Sequence, residues 1–477
     1  MADTEYDVIV LGAGPAGENA ADRAVRGGLT AVIVEAELVG GECSYWACMP
    51  SKALLRSPQA VDAARAVDGA RQAVRGAVDA AAVLARRNRF TSNWKDDGQV
   101  RWLDSAHIAL VRGHGRLAGE RRVTVTDGAG QATTLTARQA VVVATGSDAA
   151  IPPVPGLAEA RPWTSREATS AQQVPERLAV VGGGVVACEM ATAWRGLGAR
   201  EVTMLVRSRL LGHYEPFVGE QVAAAMRERG IDVRLGVNPT EVRRSGDGPL
   251  TIALDDGSSL SADELLVATG RRPRTTDIGL ETVGLQPGQW LNVDDSCRVT
   301  AVAGGWLYAV GDVNHRALLT HMGKYQARAC GDVIAARAKA DAAARNPAPW
   351  SRYAATADQA AVPQVVFTEP EVGAVGLTEA EARKKGLAVR AVEYEIGRVA
   401  GASLYADGYR GRAKLVVDEQ RRVVVGATFV GPAVGELVHA ATIAVVGEVP
   451  LERLWHAVPS YPTISEIWLR LLETYGL

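Results

Sequence analysis

Apolar runs along this chain are closed by glycine turns and followed by stretches of helical periodicity. The segment DVIVLGAGPAGENAADRAV reads as a buried strand, a Gly-rich turn and a helix, with LTAVIVE as the next strand. Further on, RLAVVGGGVVACEMATAW and REVTMLVR replay the same order. Each unit is followed by a strand ending in Ala-Thr-Gly, AVVVATG at 140–146 and ELLVATG at 264–270. Two strand–helix–strand units with the same punctuation predict an α/β fold with two dinucleotide-binding domains in tandem.

Inside the first unit, QAVDAARAVDGARQAVRGAVDAAAVLARR is Ala-rich and reads as an inserted helical segment, most of its charges facing solvent. IPPVPG at 151–156 marks a linker into the second domain, and another lies near ARNPAPW at 344–350. Beyond it, KLVVDEQRRVVVGATFVG reads as a β-hairpin followed by helices, so the tail is a third, α+β domain.

Composition narrows the class. A chain of 477 residues exceeds one core, and a prior of about 150 residues per domain suggests roughly three. A net charge of −2 provides no electrostatic case for nucleic acid or a membrane surface. No apolar run approaches the roughly 18 residues of a membrane span. The acidic start MADTEYDVIVLGAG enters a strand at once, unlike a signal peptide. Five cysteines in so long a chain do not make a secreted disulfide scaffold, which places the protein in the cytoplasm.

The chemistry sits in short motifs. Gly12-x-Gly14-x-x-Gly17 follows a strand and opens a helix, with Glu35 at the end of the next strand. Glycines there let the backbone approach a pyrophosphate at the helix N-terminus, while the carboxylate can hold ribose hydroxyls. Gly182-x-Gly184-x-x-Ala187 keeps the pattern, but Arg207 and Arg209 stand where Glu35 stood. Cations at that place suit a 2′-phosphate, which predicts NADPH over NADH. WLYAVGDV at 306–313 is a strand ending in Gly311-Asp312, the acid placed for ribityl or phosphate-adjacent groups. A helix starting near Thr320 would aim its N-terminal dipole at negative charge on a reduced flavin.

GGECSYWACMPSK at 40–52 carries the pair Cys43-x4-Cys48. Positions five apart in a regular helix are separated by about 7.5 Å of rise. A disulfide wants its Cα atoms about 4.4–6.8 Å apart, so a bond here needs an irregular helix start. Zinc prefers Cys-x2-Cys, and no second pair exists to complete a site, so no metal centre is expected. Cys188, Cys297 and Cys330 are scattered singly and read as small core residues.

The order GxGxxG, GG-x-C-x4-C-x-P-S-K, ATG, GGG-x-x-A-x-E, ATG-RRP, GD and PQVVFTEPEVGAVGLTEAEA resembles the class I pyridine nucleotide–disulfide oxidoreductases. That family includes dihydrolipoamide dehydrogenase, glutathione reductase and mercuric reductase. The resemblance implies an FAD-binding domain at 1–152 and an NAD(P)-binding domain at 153–272. A central segment at 273–350 would return to the FAD domain, and 351–477 would form a dimerisation domain. It implies FAD at Gly12, Gly14, Gly17 and Glu35, with Gly41, Lys52, Gly146, Gly311 and Asp312 completing that site. NADP would lie at Gly182, Gly184, Arg207, Arg209 and Gly270. Cys48 would be the thiol against the flavin and Cys43 the one that exchanges with substrate. Lys52 would sit near flavin N5, paired with Glu189, since a buried lysine needs a carboxylate partner.

Departures from the family pattern bear on the substrate. Its disulfide reductases carry His-Pro-Thr-x-x-Glu near the C-terminus as acid–base, supplied to the partner subunit. Here VPSYPTISE at 458–466 puts Tyr461 in the histidine place and keeps Glu466. A tyrosine with a pKa of about 10 is a poor base at neutral pH, though it can donate a proton. His456, five residues earlier, reads as a packing or surface residue. Thr463-x-x-Glu466 also fits a capping box, so Glu466 has both a structural and a catalytic reading. Val185 stands where other relatives cover the flavin with tyrosine; mercuric reductase, like this chain, has valine there. The cysteine pair that mercuric reductase uses to hand over metal is not found in the closing IWLRLLETYGL, so mercury reduction is not expected. Glu42 beside Cys43 should raise that thiol's pKa and discourage anionic disulfides. Tyr45 and Trp46 either shape an aromatic acceptor site or pack against the flavin domain.

The sequence thus predicts a homodimeric, FAD-containing oxidoreductase that passes electrons from NADPH through Cys43–Cys48 to a small acceptor: a disulfide, a quinone or a metal ion. One alternative is an NAD-dependent dihydrolipoamide dehydrogenase, against which Arg207 and Tyr461 argue. The other is a flavin-binding redox sensor without turnover. Neither nucleic acid nor membrane is an expected partner.

Overall fold

The computed structural model describes residues 4–246 and 248–477. The chain folds into two compact units. One comprises Met1–Met49, Asn88–Ala149 and Arg271–Gln359; the other Pro50–Arg87, Ala150–Gly270 and Ala360–Leu477.

The first unit is organised by parallel strands whose central stretches are buried aliphatic residues. Glu5–Leu11 lies between Ala31–Glu35 and Ala132–Val143, with Ala109–Arg112 beyond Ala31–Glu35. Ile9 faces Val32 on one side and Val141 on the other. Leu307–Ala309 adds a further parallel strand, with Leu307 opposite Val141. Strands buried on both faces need such continuous apolar runs rather than alternation. Helix Pro15–Arg26 covers one face together with helix Thr320–Ala338. Their approach is close because small residues meet: a Cβ on Gly331 would come within 2.5 Å of Arg23 Cβ and 2.6 Å of Ala20 O.

Two sheets of the second unit follow different grammar. Ile231–Leu235, Glu201–Val206, Arg177–Val181 and Glu264–Val267 form a parallel sheet in that order, covered by helix Val185–Gly196, whose Ala191, Ala193 and Trp194 are buried. The tail builds a five-stranded antiparallel sheet around the expected hairpin, Arg412–Asp418 against Val423–Gly431. Helices Val438–Val446 and Ile467–Tyr475 follow it.

The inserted Ala-rich segment differs from its expectation. Helix runs Cys48–Arg65 and Ala80–Phe90, but residues 66–79 are turns, with Gly69 and Gly76 at positive φ. Glycine is favoured in that conformation, and alanine periodicity cannot bridge it. Nor is the segment's far end solvated. Arg87 is fully buried, donates to Thr169 O and Ala171 O, and is pushed down to about 10 by burial. Among the described residues, no helix is long and apolar enough to cross a membrane.

Candidate active site

A cavity of 630 Å³ opens along the first unit where the glycine turn, Ala-Thr-Gly and Gly311-Asp312 converge. Helix Pro15–Arg26 starts at Gly14, and a Cβ built on Gly14 meets nothing within 4 Å. Gly12 and Gly17 answer a different constraint. A Cβ on Gly17 would fall 1.9 Å from Gly12 O, and one on Gly12 would fall 2.5 Å from Ala144 O. Gly146, at φ +75, is again open. Backbone N–H groups at the helix start with unfilled space before them fit the pyrophosphate of a dinucleotide. Glu35 lines the cavity, and its carboxylate accepts from the N–H of Ala13 at 2.6 Å and of Glu37 at 2.7 Å. Burial raises its pKa. Asp312 also lines the cavity, accepting from Ser147 Oγ at 2.5 Å, with Arg271 Nε at 3.6 Å. These residues fit FAD: glycine cradle, ribose-side carboxylate and a second acid held by Ser147.

The cysteines lie at the edge of this cavity. Helix Gly41–Tyr45 carries Cys43 and ends at Trp46, whose φ of −138° is not helical; Cys48 then opens the next helix. The break shortens the separation that a continuous helix would impose. Both cysteines are free thiols, and they share a hydrogen bond. Cys43 and Thr320 line the cavity, and Cys48 Sγ lies 3.2 Å from Thr320 Oγ1. The Cys43 thiol is pushed far up, first by its hydrogen bond with Cys48 and then by burial, so the pair resists losing both protons.

Glu42 does not act as its place beside Cys43 suggests. Its carboxylate accepts from Arg274 Nη2 at 2.9 Å, and Arg274 also reaches Asp148 at 2.5 Å. An ion pair at that distance cancels most of the field that a lone carboxylate would exert on the thiol. The rise in Cys43 comes from Cys48 and burial instead. Tyr45 takes the packing role: it is 1% exposed, donates to Val39 O at 3.0 Å and meets Trp46 edge-on.

In the second unit, Lys52 Nζ donates to Glu189 Oε2 at 2.7 Å. Glu189, 3% exposed, also accepts from Phe367 N at 3.0 Å, and the Phe367 ring lies 4.9 Å from the ammonium. Gly184 opens helix Val185–Gly196 with open space before its Cα, while Gly182 needs its φ of +132 and abuts Ala268 O. Gly270 has φ +149 and open space before it. Arg207 is exposed just past strand Glu201–Val206, and Arg209 donates to Gly212 O at 2.5 Å.

Near the C-terminus, Tyr461 is 77% exposed and His456 is exposed. The capping-box reading of Glu466 fails. Thr463 Oγ1 donates to Ser460 O, and buried Glu466 instead accepts from Arg470 at 2.7 Å. Its Oε2 has no hydrogen-bond partner among the described residues. Sequence reading placed a helix start near Thr320 at the flavin but not its contact with Cys48, and it missed Ser147 and Arg274 as site residues. Ser147 follows Ala-Thr-Gly directly and was within reach of motif reading; the Arg274 partners were not.

The chain is similar to known proteins along nearly its whole length. The sequence profile described as pyridine nucleotide-disulphide oxidoreductase matches residues 6–337, and that of the family's dimerisation domain matches 362–471. A mercuric reductase of Staphylococcus aureus is 30% identical over 97% of this chain and 81% of its own. A dihydrolipoyl dehydrogenase of Haloferax volcanii is 31% identical over 98% of this chain and 96% of its own. The solved Cu(II) complex of the HOCl-induced flavoprotein disulfide reductase RclA of Escherichia coli superposes with a TM-score of 0.83. It covers 99% of each chain at 21% identity. LpdA of Mycobacterium tuberculosis gives the same TM-score at 24% identity over 100% of both chains.

Proposed function

Because the chain belongs to the pyridine nucleotide-disulphide oxidoreductase family, we propose that it takes electrons from NADPH and delivers them, through the Cys43–Cys48 pair, to a small acceptor: a disulfide, a quinone or a metal ion. Residues 1–152 form the FAD-binding domain in this reading, 153–272 the NAD(P)-binding domain, 273–350 the returning segment and 351–477 the dimerisation domain. The observation that carries the proposal is the meeting of Cys43, Cys48 and Thr320 at the edge of a glycine-cradled cavity.

FAD, when bound, supplies two-electron transfer between the nicotinamide and the sulfur pair. The chain's own residues do the rest. Gly12, Gly14, Gly17 and Gly146 bring backbone to the pyrophosphate, Glu35 and Asp312 orient the sugar and ribityl groups, and Gly41 allows the cysteine helix to pass close to Gly14. Gly311 lets the strand end turn toward the cavity. Gly182, Gly184 and Gly270 shape the nucleotide site, with Arg207 and Arg209 as the cations for a 2′-phosphate. Glu189 fixes the orientation of Lys52 through their hydrogen bond. Reduction breaks the S–S bond: hydride brings two electrons and one proton, water the second proton, and two thiols result. Cys48 is the flavin-side sulfur and Cys43 the one that meets the acceptor. Tyr461, as part of the dimerisation domain, donates a proton or hydrogen bond at the partner's pair, with Glu466 behind it. The exposed Arg207 supports NADPH over the NAD-dependent dihydrolipoamide dehydrogenase alternative.

Thiol counting tests this reading. One equivalent of NADPH added anaerobically to the oxidised holoenzyme should expose two additional titratable thiols, and none in Cys43→Ser. An unchanged thiol count in the unsubstituted enzyme would sink the proposal. Lipoamide, low-molecular-weight disulfides, quinones and metal ions, offered in turn with NADPH, identify the acceptor.

A further inference from the structure

Behind Gly311 and Asp312 lies a buried polar network that the electron relay does not use. Gln326, on helix Thr320–Ala338, is fully buried, and its amide oxygen accepts from the N–H of Gly311 and from Asn314 Nδ2, each at 2.9 Å. Its amide nitrogen donates to Asp358 Oδ2 at 2.9 Å. Arg316 Nε donates to the same oxygen at 3.0 Å, and Arg316 Nη2 donates to Asp295 at 2.8 Å. Asp358 is buried as well, and its Oδ1 has no hydrogen-bond partner among the described residues. Asn314 ties the network into the turn, donating to Ala309 O at 3.1 Å and accepting from Arg316 N at 3.0 Å. Charged groups taken out of water are costly, and a polar network built around them specifies one local conformation.

We propose that Gln326 is a positioning residue for the flavin site: it holds the Gly311 N–H so that the turn delivers Asp312 to the cavity, and the buried Asp358–Arg316 pair fixes which way round its amide stands. The proposal rests on Asp312 as a flavin ligand and adds what keeps it in place.

The chemistry of the partners permits one orientation of the amide. A backbone N–H can only donate, so it must meet the amide oxygen; a carboxylate can only accept, so it must meet the amide nitrogen. Burial raises Asp358 to about 6 against the pull of Arg316, and above that pH it is ionised and accepts only. The turn needs such a hold. Gly311 stands at φ 77° and ψ −157°, a region essentially reserved for glycine, whose freedom leaves the direction of the next residue unset. One turn before Gln326, Gly323 lets the helix approach: a Cβ there would fall 3.2 Å from Gly311 Cα. Gly311, Asp312 and Gly323 all line the cavity, and Asp312 accepts there from Ser147 Oγ at 2.5 Å. The charged groups joined to Gln326 through the network are Asp358, Arg316 and Asp295, and the Cys297 thiol meets its backbone carbonyl at 3.7 Å.

The rate at which FAD leaves the holoenzyme, followed as the rise of free-flavin fluorescence after dilution, tests this. Gln326→Met removes the hold and keeps the bulk; it should speed release about tenfold, as should Asp312→Ala. Gln326→Glu keeps the shape but sets two carboxyl groups face to face, which must share a proton. Its release rate relative to the unsubstituted protein should stay within about twofold at about pH 6 and rise to about tenfold by about pH 9. The ratio for Gln326→Met should not change with pH. A side chain that only fills space would give neither result. Release from Gln326→Met at the unsubstituted rate, or a ratio for Gln326→Glu that ignores pH, would overturn the proposal. Should Gln326→Met fail to fold, Gln326→Glu decides alone. An unchanged rate for Asp312→Ala rejects the flavin ligand and the proposal with it. Fast release from Asp312→Ala with slow release from Gln326→Met rejects only the positioning. Release needs neither acceptor nor turnover, so its outcome is independent of the thiol count.

Discussion

Arg207 stands exposed beyond strand Glu201–Val206, while its neighbour Arg209 is engaged by the backbone at Gly212. A guanidinium without a protein partner gains most from a phosphate, through charge-assisted hydrogen bonds of about 1.5–3 kcal/mol. Arg207→Ala should therefore lower kcat/KM for NADPH about tenfold while leaving that for NADH within about twofold, checked by steady-state kinetics with both nucleotides. Equal losses with both would remove Arg207 from nucleotide choice. This residue was legible because it replaces an acid at a fixed offset from a glycine motif. Glu42 was legible as a residue but not as an interaction. Its neutralising partner Arg274 lies 232 positions away, and nothing local announces it. Glu18 would pass on sequence for one more polar position of an amphipathic helix, yet its Oε1 is buried without a hydrogen-bond partner among the described residues.

At the scale of elements, glycines divide into those that make room for a ligand and those that make room for protein. Gly14 and Gly331 represent the two kinds. A side chain at Gly14 meets open space, at a φ of −70° that any residue adopts. One at Gly331 collides with Arg23 and Ala20 of the neighbouring helix. Gly14→Ala should keep its thermal midpoint but retain less FAD after desalting, read from the absorbance ratio of flavin to protein. Gly331→Ala should cost about 2 kcal/mol of stability, as overpacking does, seen as a lowered denaturant midpoint. A destabilised Gly14→Ala or an unaffected Gly331→Ala would reverse this division. The first glycine belongs to a motif and was readable. The second lies in a helix whose sequence does not name its partner. The turns at 66–79 belong to the same lesson: Ala-rich periodicity promised helix throughout, and Gly69 and Gly76 at positive φ interrupt it.

For the whole molecule, buried acids set how stability responds to pH. Burial raises Glu369 to about 7, with Arg229 opposing that shift and Glu371 and Asp62 adding to it. The folded state therefore binds this proton more tightly than the unfolded chain does. Its stabilisation is full below the unfolded value of 4.5 and is lost as pH rises through about 7. Glu369→Gln should gain on the unsubstituted protein by about 1–3 kcal/mol between pH 5 and pH 8, measured by calorimetry across that range; a difference independent of pH would contradict it. Such a term was hidden in the sequence, where TEPEVG enters only as part of the motif PQVVFTEPEVGAVGLTEAEA. The hydrophobic pattern and the glycine spacing by themselves determined the α/β class, the two repeated strand–helix–strand units and the hairpin of the tail. These signals are local, because strand alternation, turn chemistry and helix starts are settled within a few residues. Only the tertiary structure decided the electrostatics that no motif carries: that Glu42 is answered by Arg274 and that Arg87 is buried. Charges act through space in a low-dielectric interior, and the distances that matter join segments far apart along the chain.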